Sequence, residues 1–318
     1  MLDLSIVIIT YNRSGYLRRL LESLSKSTFK ECDIWVLNNA STDKTIQVCE
    51  EYASTLKNLH LVTHKFNIGG DANIMRAYEY GDKYYKWILC DDDALHLDKT
   101  ADLLDVLENK KYDLIRVGDV GVIKEEHGQA KTLGALLHDP QSLTFYSLGF
   151  VPNLIFRNVV GPHVRTAYEK IYTRYQQLFV LMGTFNLATV VYTTKVPLLT
   201  RGEAPTDNGC EIVLYQIRSL EALPTNKARK IAMSWRSKHQ NPVFYLFGFG
   251  LLILGDLKHG RPRQEIFKVY LETIMAAQSL SSKFILALNS IFILFPRRAL
   301  FPLSKVYRRL MKKETALD

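Results

Sequence analysis

The chain has 318 residues, 47% hydrophobic and 23% charged, which is ordinary for a folded protein with room for one large domain plus an appendage, or for two domains. Its four cysteines have neither paired nor metal-like spacing, which argues against a disulfide framework and a zinc site and favours a reduced, cytoplasmic setting. The first apolar run follows no basic segment and turns polar at Thr10, so we expect no signal peptide.

The net charge of +9 is unevenly distributed. Residues 1–225 carry 24 basic and 27 acidic side chains, whereas residues 226–318 carry 17 basic and 5 acidic ones. A mildly acidic body with a basic tail predicts that the tail meets something anionic, either a membrane or a nucleic acid. We therefore expect a catalytic domain over residues 1–225 and a separate helical region over residues 226–318.

The first hundred residues alternate between strand and helix patterns. Strands are predicted over residues 5–10, 33–37, 59–62 and 86–90, and the first and last of these are expected to be buried. The first intervening segment has helical spacing, with leucines at positions 17, 20, 21 and 24, and further helices are expected through residues 46–52 and after Gly70. Strands separated by helix-length segments predict a mainly parallel α/β sheet with right-handed crossovers.

The pattern weakens after residue 96. A helix is predicted over residues 97–107 and a strand over 113–117, followed by loops and irregular strands over 118–165. One helix is then expected over 167–182 and a β-like segment over 189–199.

Three consecutive carboxylates, Asp91, Asp92 and Asp93, follow the strand at residues 86–90. Carboxylates this close repel one another, and clustering them costs stability unless a cation neutralises them. They lie at the carboxyl end of a predicted parallel strand, where open α/β sheets bind ligands, and hard oxygen ligands suit Mg²⁺ or Mn²⁺. A solvated acidic turn that caps the next helix is the alternative.

Other polar turns follow the neighbouring strands. Amide and carboxylate groups there could bind the polar edge of a nucleotide base, although the same residues are also common in turns for local reasons. Gly69 and Gly70 precede a helix, where a backbone without side chains lets a phosphate or ribose approach. The candidate donor-binding residues are Thr10, Tyr11, Asn12, Arg13, Asn38, Asn39, Asp43, Gly69, Gly70, Asn73, Asp91 and Asp92, with Arg76 one turn beyond Asn73.

Taken in order, these motifs resemble a family 2 glycosyltransferase with a GT-A fold over about residues 3–120. The resemblance implies a nucleotide-sugar donor, a divalent metal bound at the D-x-D by Asp91 and Asp93, and inversion at the anomeric carbon. It places Thr10 and Tyr11 at the base and ribose, and Asp43 where it would orient the turn or help hold the nucleoside. Asn38 stands where the family usually has an aspartate.

The chain departs from the family at the general base, which an inverting transfer needs on the acceptor hydroxyl. The family typically carries Glu-Asp at the start of a helix, whereas this sequence has Gln176 and Gln177 at the corresponding place. The sequence offers five other candidates for the base, of which the first three are our predicted catalytic residues: Asp207, Glu203, His163, Glu211 and Glu169.

The tail contains two apolar stretches, residues 244–257 and 284–295, both shorter than the roughly 20 residues that cross a bilayer. Such segments are core or interfacial helices, and the basic residues at 297–298 and 305–313 favour docking on an anionic membrane surface. The sequence thus predicts a peripheral enzyme on the cytoplasmic face of the membrane that extends a lipid-linked glycan of the bacterial surface-polysaccharide kind.

Other functions remain alternatives. A GT-A-like binding or scaffold subunit without catalysis would explain the missing acidic pair. A nucleic-acid-binding protein is disfavoured, because the basic residues of the tail alternate with apolar runs rather than with a stacking platform. A nucleotidyltransferase would need a glycine-rich basic loop after the first strand, which residues 10–15 do not form. The donor sugar, its base, the acceptor, the linkage and the oligomeric state stay open.

Overall fold

The computed structural model describes residues 2–119, 122–142, 144–200, 202, 211–239, 253, 262–276, 284 and 287. The chain divides into two compact units. The first comprises residues 1–204 and 222–232, and the second comprises residues 205–221 and 233–318. The domain boundary near residue 225 stays a prediction.

The first unit begins with the alternation that the sequence predicts. Three of the first four strands are mostly buried, whereas the edge strand over residues 59–63 is only partly buried. The helices between them turn apolar faces to the sheet, and the four leucines of the first helix are all buried. The elements are β1 (Leu4–Thr10), α1 (Ser14–Ser25), β2 (Asp33–Asn38), α2 (Thr45–Tyr52), β3 (Leu59–Thr63), α3 (Gly70–Ala77) and β4 (Tyr85–Cys90).

These four strands form a parallel sheet in the order β3-β2-β1-β4. Thr10 pairs with Asn38, and Ile9 pairs with Cys90, so the three strands end at one edge. The loops after β1, β2 and β4 therefore meet there, as expected for parallel strands of similar length. This register brings the polar turns of the sequence to one place.

The remaining strands extend the sheet in the order β4-β8-β6-β9-β7, in which β8 runs antiparallel to both of its neighbours. A separate two-stranded sheet joins β5 to β10. The elements are β5 (Ala94–Leu95), α4 (Ala101–Glu108), β6 (Leu114–Arg116), β7 (Ala130–Thr132), α5 (Leu133–His138), α6 (Thr144–Gly149), β8 (Leu154–Arg157), α7 (Gly161–Glu169), α8 (Gln176–Thr184), β9 (Val190–Thr193) and β10 (Leu199–Thr200).

The single helix expected over residues 167–182 is wrong. The α7 helix ends at Glu169 and α8 starts at Gln176, with a 3-10 turn over Ile171–Thr173 between them. Arg174 has a left-handed backbone (φ 53), and the Thr173 hydroxyl donates to the Lys170 carbonyl at 2.8 Å. Both features stop the helical hydrogen-bond ladder, so α8 begins afresh at the glutamine pair.

Other boundaries in this half also differ from expectation. Residues 118–165 contain three helices as well as strands β7 and β8, rather than loops and irregular strands alone. The helix expected from residue 97 begins at Ala101, because residues 94–95 pair with β10. The β-like segment over 189–199 is divided between β9 and β10.

A buried ion pair joins the sheet to the segment that precedes β7. Arg116 of β6 and Glu126 are both almost fully inaccessible, and Arg116 Nη1 lies 3.0 Å from Glu126 Oε2. The Thr193 hydroxyl accepts from Arg116, and the Ser142 hydroxyl donates to Glu126 Oε1 at 2.6 Å. Charges removed from water in this way are tolerated only when paired and hydrogen-bonded, so this network fixes the loop against the sheet.

In the second unit, α9 (Glu211–Ser219) packs against α11 (Arg263–Ala276), and Arg218 Nη2 lies 2.9 Å from Glu272 Oε2. The α10 helix covers Asn226–His239. Within the part of the chain that the structure describes, no helix has both the length and the apolar character that crossing a bilayer requires. The predicted interfacial segments 244–257, 284–295 and 305–313 lie almost wholly outside the described residues.

Candidate functional site

The acidic triplet lies directly after β4, at the edge where β1 and β2 also end. Asp91 is 3% exposed and Asp93 is 6% exposed, so these carboxylates are not a solvated turn. Burial raises the pKa of Asp91 to about 6 and that of Asp93 to about 7, because a charged carboxylate loses its hydration there. The neighbouring Asp92 carboxylate adds repulsion to both.

Two residues from the loop after β1 hold Asp91. The Thr10 hydroxyl donates to Asp91 Oδ2 at 2.7 Å, and Arg13 Nη1 lies 3.4 Å from Asp91 Oδ1. Arg13 also lies 3.6 Å from Asp92 Oδ1. These contacts offset part of the negative charge and occupy both oxygens of Asp91.

Asp93 is held by backbone groups instead. Its Oδ1 accepts from the Gly202 N–H at 3.1 Å, and its Oδ2 accepts from the Cys90 N–H at 3.3 Å. The β5–β10 pairing carries the chain to Gly202, where a Cβ atom would lie 2.4 Å from the Asp92 carbonyl oxygen. Only glycine fits this close approach.

The ligand atoms of Cys90, Asp92 and Asp93 all lie within 4.8 Å of one another. Burial, together with the adjacent carboxylates, raises the pKa of the Cys90 thiol well above its ordinary range. A protonated thiol is a poor metal ligand, so the hard carboxylate oxygens are the better donors here. Buried carboxylates at this spacing fit a divalent cation of the Mg²⁺ or Mn²⁺ type.

The loops after β1 and β2 are tied together by Asn12 and Asp43. Asn12 has a left-handed backbone (φ 51); its N–H donates to the Ser41 hydroxyl at 2.9 Å, and its Oδ1 accepts from the Thr42 N–H at 2.8 Å. Asp43 accepts from the Ser14 N–H at 2.8 Å and from the Thr45 N–H at 3.1 Å. Asp43 therefore accepts hydrogen bonds from the first residues of α1 and α2 and holds the two loops together, and its role at a donor stays a prediction.

The asparagines after β2 are buried and engaged with protein groups. Asn38 Oδ1 accepts from the Ser41 N–H at 2.9 Å. Asn39 Oδ1 accepts from the Ile68 N–H at 2.9 Å, and its Nδ2 lies 3.3 Å from the Gly69 carbonyl. These side chains shape the loops around the pocket edge.

The glycines before α3 border open space. Gly69 has φ +85, and a Cβ atom at Gly69 or Gly70 would meet nothing within 4 Å. Tyr11 is 42% exposed on the same edge, after β1. The exposed Tyr11 ring can stack with a ring of a ligand, and the uncovered glycine backbone can contact a polar group of it.

The side chains of Asn73 and Arg76, both on α3, bond to different partners. Asn73 is buried; its Nδ2 donates to the Leu37 carbonyl at 3.2 Å, and its Oδ1 lies 2.9 Å from His64 Nε2. Arg76 Nε lies 2.9 Å from Glu79 Oε2, and its Nη2 donates to the Tyr80 hydroxyl at 2.9 Å. Arg76 is thus paired with Glu79 and Tyr80, which lie just beyond the end of α3.

The two candidates for the general base whose side chains the structure describes, His163 and Glu169, make their contacts away from the carboxylates. His163 packs against Gly183, near the end of α8, roughly 10 Å along that helix from Gln176. Glu169 is exposed and pairs with Arg165 at 3.6 Å. The side chains of three further candidates lie outside the described residues: Asp207, Glu203 and Glu211.

The structure adds three residues that sequence reasoning did not select: Cys90, Gly202 and Asp71. Cys90 is the last residue of the predicted strand and is adjacent to the triplet, so its place beside the carboxylates follows from the sequence. Gly202 reaches Asp93 across 109 positions of sequence, and no local signal marks that contact. Asp71 carries a raised pKa in the first turn of α3 because it is half-buried.

We expect Asp93→Asn to stabilise the metal-free protein, and to do so more at about pH 8 than at about pH 5. The folded-state pKa of Asp93 is about 7, against 3.8 for an exposed aspartate, so between these values the folded state binds more protons than the unfolded chain. Rising pH therefore lowers the free energy of unfolding of the wild type through Asp93. The neutral asparagine does not titrate, so the variant does not lose this stability.

Thermal unfolding in EDTA at the two pH values measures this effect. Asp98→Asn, an exposed position outside the cluster, is the control and should behave like wild type. A pH dependence of Tm that is the same in Asp93→Asn and wild type would contradict the burial argument.

Residues 5–152 match the family model "Glycosyl transferase family 2". The chain is 27% identical over 125 residues to the poly(ribitol-phosphate) beta-N-acetylglucosaminyltransferase TarS of Staphylococcus aureus, covering 38% of this chain and 22% of TarS. It is 32% identical over 111 residues to the abequosyltransferase RfbV of Salmonella typhimurium, covering 34% and 33%. The matches thus span about a fifth to a third of the length of these relatives.

Solved structures share the fold. A crystal structure of TarS residues 1–349 in complex with UDP has a TM-score of 0.61 at 19% identity, covering 96% of this chain and 91% of that one. The mannosyltransferase PcManGT of Pyrobaculum calidifontis, in complex with GDP-Man and Mn²⁺, has a TM-score of 0.52 at 11% identity, covering 92% and 87%. The expected α/β fold of the GT-A type is confirmed. Over residues 5–152, the chain is thus similar to glycosyl transferase family 2.

Proposed function

We propose that the chain is a metal-dependent glycosyltransferase that moves a hexosyl or deoxyhexosyl group from a nucleotide-sugar donor to an acceptor hydroxyl, with inversion. The observation that carries this proposal is the buried carboxylate cluster after β4, at the edge where the loops after β1 and β2 end. The similarity of residues 5–152 to glycosyl transferase family 2 supports sugar transfer as the reaction class.

Asp92 and Asp93 would hold a Mn²⁺ or Mg²⁺ ion, with Asp91 beside them. The metal ligands predicted from the sequence were Asp91 and Asp93. The contacts of Asp91 with Thr10 and Arg13 favour Asp92 over Asp91 as the second ligand, while Asp91 would stay ionised and orient the site. When bound, the ion supplies positive charge for the diphosphate that leaves the sugar.

The chain's own residues position the donor. Tyr11 offers an exposed ring for the nucleoside, and Gly69 and Gly70 let a ribose or phosphate approach the backbone at the start of α3. Thr10 would act through Asp91, because its hydroxyl is already committed there. Asn38 and Asn39 would act indirectly, because their side chains hold the loops that surround the donor site.

The relatives suggest the substrate class. TarS is named for transfer to poly(ribitol-phosphate), and its structures contain UDP and UDP-GlcNAc; the PcManGT structure contains GDP-Man. We propose a nucleoside diphosphate sugar as donor, and a lipid-linked or oligosaccharide acceptor of a surface polysaccharide. A non-catalytic scaffold would bind the nucleotide without transferring sugar, and this is the main alternative.

We expect UDP with Mn²⁺ to raise the Tm of the wild-type protein, because a ligand that binds only the folded state stabilises it. Asp93→Ala should lose this Mn²⁺-dependent rise and release no UDP from UDP-GlcNAc, whereas Asp98→Ala should keep both. Differential scanning fluorimetry and an assay for released UDP measure the two effects.

The outcomes separate the alternatives. An Asp93→Ala protein with full Mn²⁺-dependent binding would refute the metal role. Wild-type protein that binds UDP but releases none from UDP-GlcNAc, UDP-glucose or a mixture of other UDP-sugars would favour the scaffold. GDP and GDP-mannose provide the matching test for a guanine nucleotide.

We further propose that the basic C-terminal region docks on the anionic cytoplasmic face of the membrane. The support is the charge of residues 226–318, with 17 basic and 5 acidic side chains, and the apolar stretches between them. Lys and Arg near an anionic surface attract it by about 1 kcal/mol each, and salt screens that attraction.

Full-length protein should float with phosphatidylglycerol-containing vesicles and much less with pure phosphatidylcholine vesicles. Arg297→Glu/Arg298→Glu should reduce this binding, whereas Arg165→Glu/Lys44→Glu, with the same change of charge on exposed sites of the first unit, should not. Equal loss in both variants would mean that general charge, rather than the tail, causes the binding. Salt-sensitive binding to RNA or DNA without vesicle binding would instead favour the nucleic-acid alternative.

A further inference from the structure

The start of α8 lacks the acidic side chains that a general base needs. Gln176 and Gln177 are 0% and 3% exposed, and a glutamine amide cannot accept a proton usefully. Gln176 Nε2 donates to the Asp71 carbonyl at 3.1 Å, and Gln177 Nε2 donates to the Gly149 carbonyl at 2.6 Å. Their Oε1 atoms have no hydrogen-bond partner among the described residues. Two buried acceptors are thus left free beside Asp71 and Gly149.

A carboxylate lies next to this helix start, on a different element. Asp71 occupies the first turn of α3, and the Gln176 amide lies within hydrogen-bonding reach of its side chain. Arg174, from the turn before α8, places Nε 3.5 Å from Asp71 Oδ2. The Asp71 side chain keeps 32% of its surface exposed, so a substrate can reach it.

A series of hydrogen bonds connects the carboxylate cluster to the loop just before Asp71. Thr10 donates its hydroxyl to Asp91, and its carbonyl accepts from the Asn39 N–H at 3.0 Å. Asn39 in turn donates to the Gly69 carbonyl, two residues before Asp71. The loop that leads into Asp71 is thus tied to the same edge of the sheet as the proposed metal ligands, and its glycines border open space.

We propose that Asp71 is the general base of this enzyme, replacing the acid that the glutamine pair cannot supply. The inference rests on the proposed glycosyltransferase function. The Asp71 carboxylate takes the proton of the acceptor hydroxyl as that oxygen bonds to the anomeric carbon. The bond from this carbon to the diphosphate oxygen breaks, and its electron pair leaves with the diphosphate. Asp71 then returns the proton to water.

The surroundings of Asp71 suit this role. Burial raises its pKa, although Arg174 and the Gln176 amide each lower it. A base with a raised pKa is a better proton acceptor while still ionised at neutral pH. Among the described residues, Arg174 is the charged group that faces the Asp71 carboxylate. On α7, the Tyr168 hydroxyl donates to Glu79, which lies beyond the other end of α3.

The test compares wild type with Asp71→Asn, Asp71→Glu and the exposed control Asp82→Asn. Each protein is given UDP-GlcNAc, UDP-glucose or GDP-mannose with Mn²⁺, and turnover is measured as the amount of UDP or GDP released. Asp71→Asn should lose about 100- to 10,000-fold in kcat, the range typical of a general base, and should keep Mn²⁺-dependent stabilisation by UDP or GDP. Asp71→Glu should retain part of the activity and shift the acidic limb of the pH–rate profile. Asp82→Asn should match wild type.

Each other result overturns the inference. Full activity in Asp71→Asn would assign the base elsewhere, with Asp207 and Glu203 the next to change. Loss of nucleotide stabilisation in Asp71→Asn and Asp71→Glu together would mean that Asp71 holds the donor or the fold. An acidic limb that is the same in Asp71→Glu and wild type would exclude Asp71 as the titrating group. Wild-type protein that binds no nucleotide would instead refute the proposed function itself.

Discussion

Repulsion among three adjacent carboxylates after β4, two of them buried, is the constraint around which the site is built. Two unit charges about 4 Å apart repel by roughly 4 kcal/mol at an effective dielectric constant near 20, and burial adds the loss of hydration. Thr10, Arg13 and the Gly202 N–H relieve part of this cost. A divalent cation would relieve most of what is left, so the electrostatics favour the same ligand that the proposed function uses.

The fold delivers those neutralising groups from distant parts of the sequence. Parallel pairing in the order β3-β2-β1-β4 places Thr10, Asn38 and Cys90 at one edge, and the crossover helices begin there. Beyond β4 the direction reverses at β8, and the chain returns through β10 to bring Gly202 onto Asp93. Local strand–turn–helix units therefore supply Thr10, Asn38 and Cys90 to the site, whereas a long-range return of the chain supplies Gly202.

This division explains what the sequence could predict. Strands β1 to β4 are apolar runs that end in polar turns, so their pattern alone indicates the parallel sheet and the place of the acidic triplet. The helices α5 and α6 have six residues each, too few to display a helical period, and the region was interpreted as loops. The break between α7 and α8 depends on the left-handed Arg174, a conformation that no residue type in that segment demands. The replacement of acids by Gln176 and Gln177 was visible in the sequence, but their proximity to Asp71 depends on tertiary packing.

The central claim is that the triplet holds a divalent ion shared with the donor diphosphate. Anomalous scattering from crystals soaked with Mn²⁺ and UDP tests it most directly. The account predicts one strong peak about 2.2 Å from a carboxylate oxygen of Asp93 and in contact with the diphosphate, the oxygen-ligand distance that such ions take. Bound UDP with no Mn²⁺ peak at Asp91, Asp92 or Asp93 would contradict it.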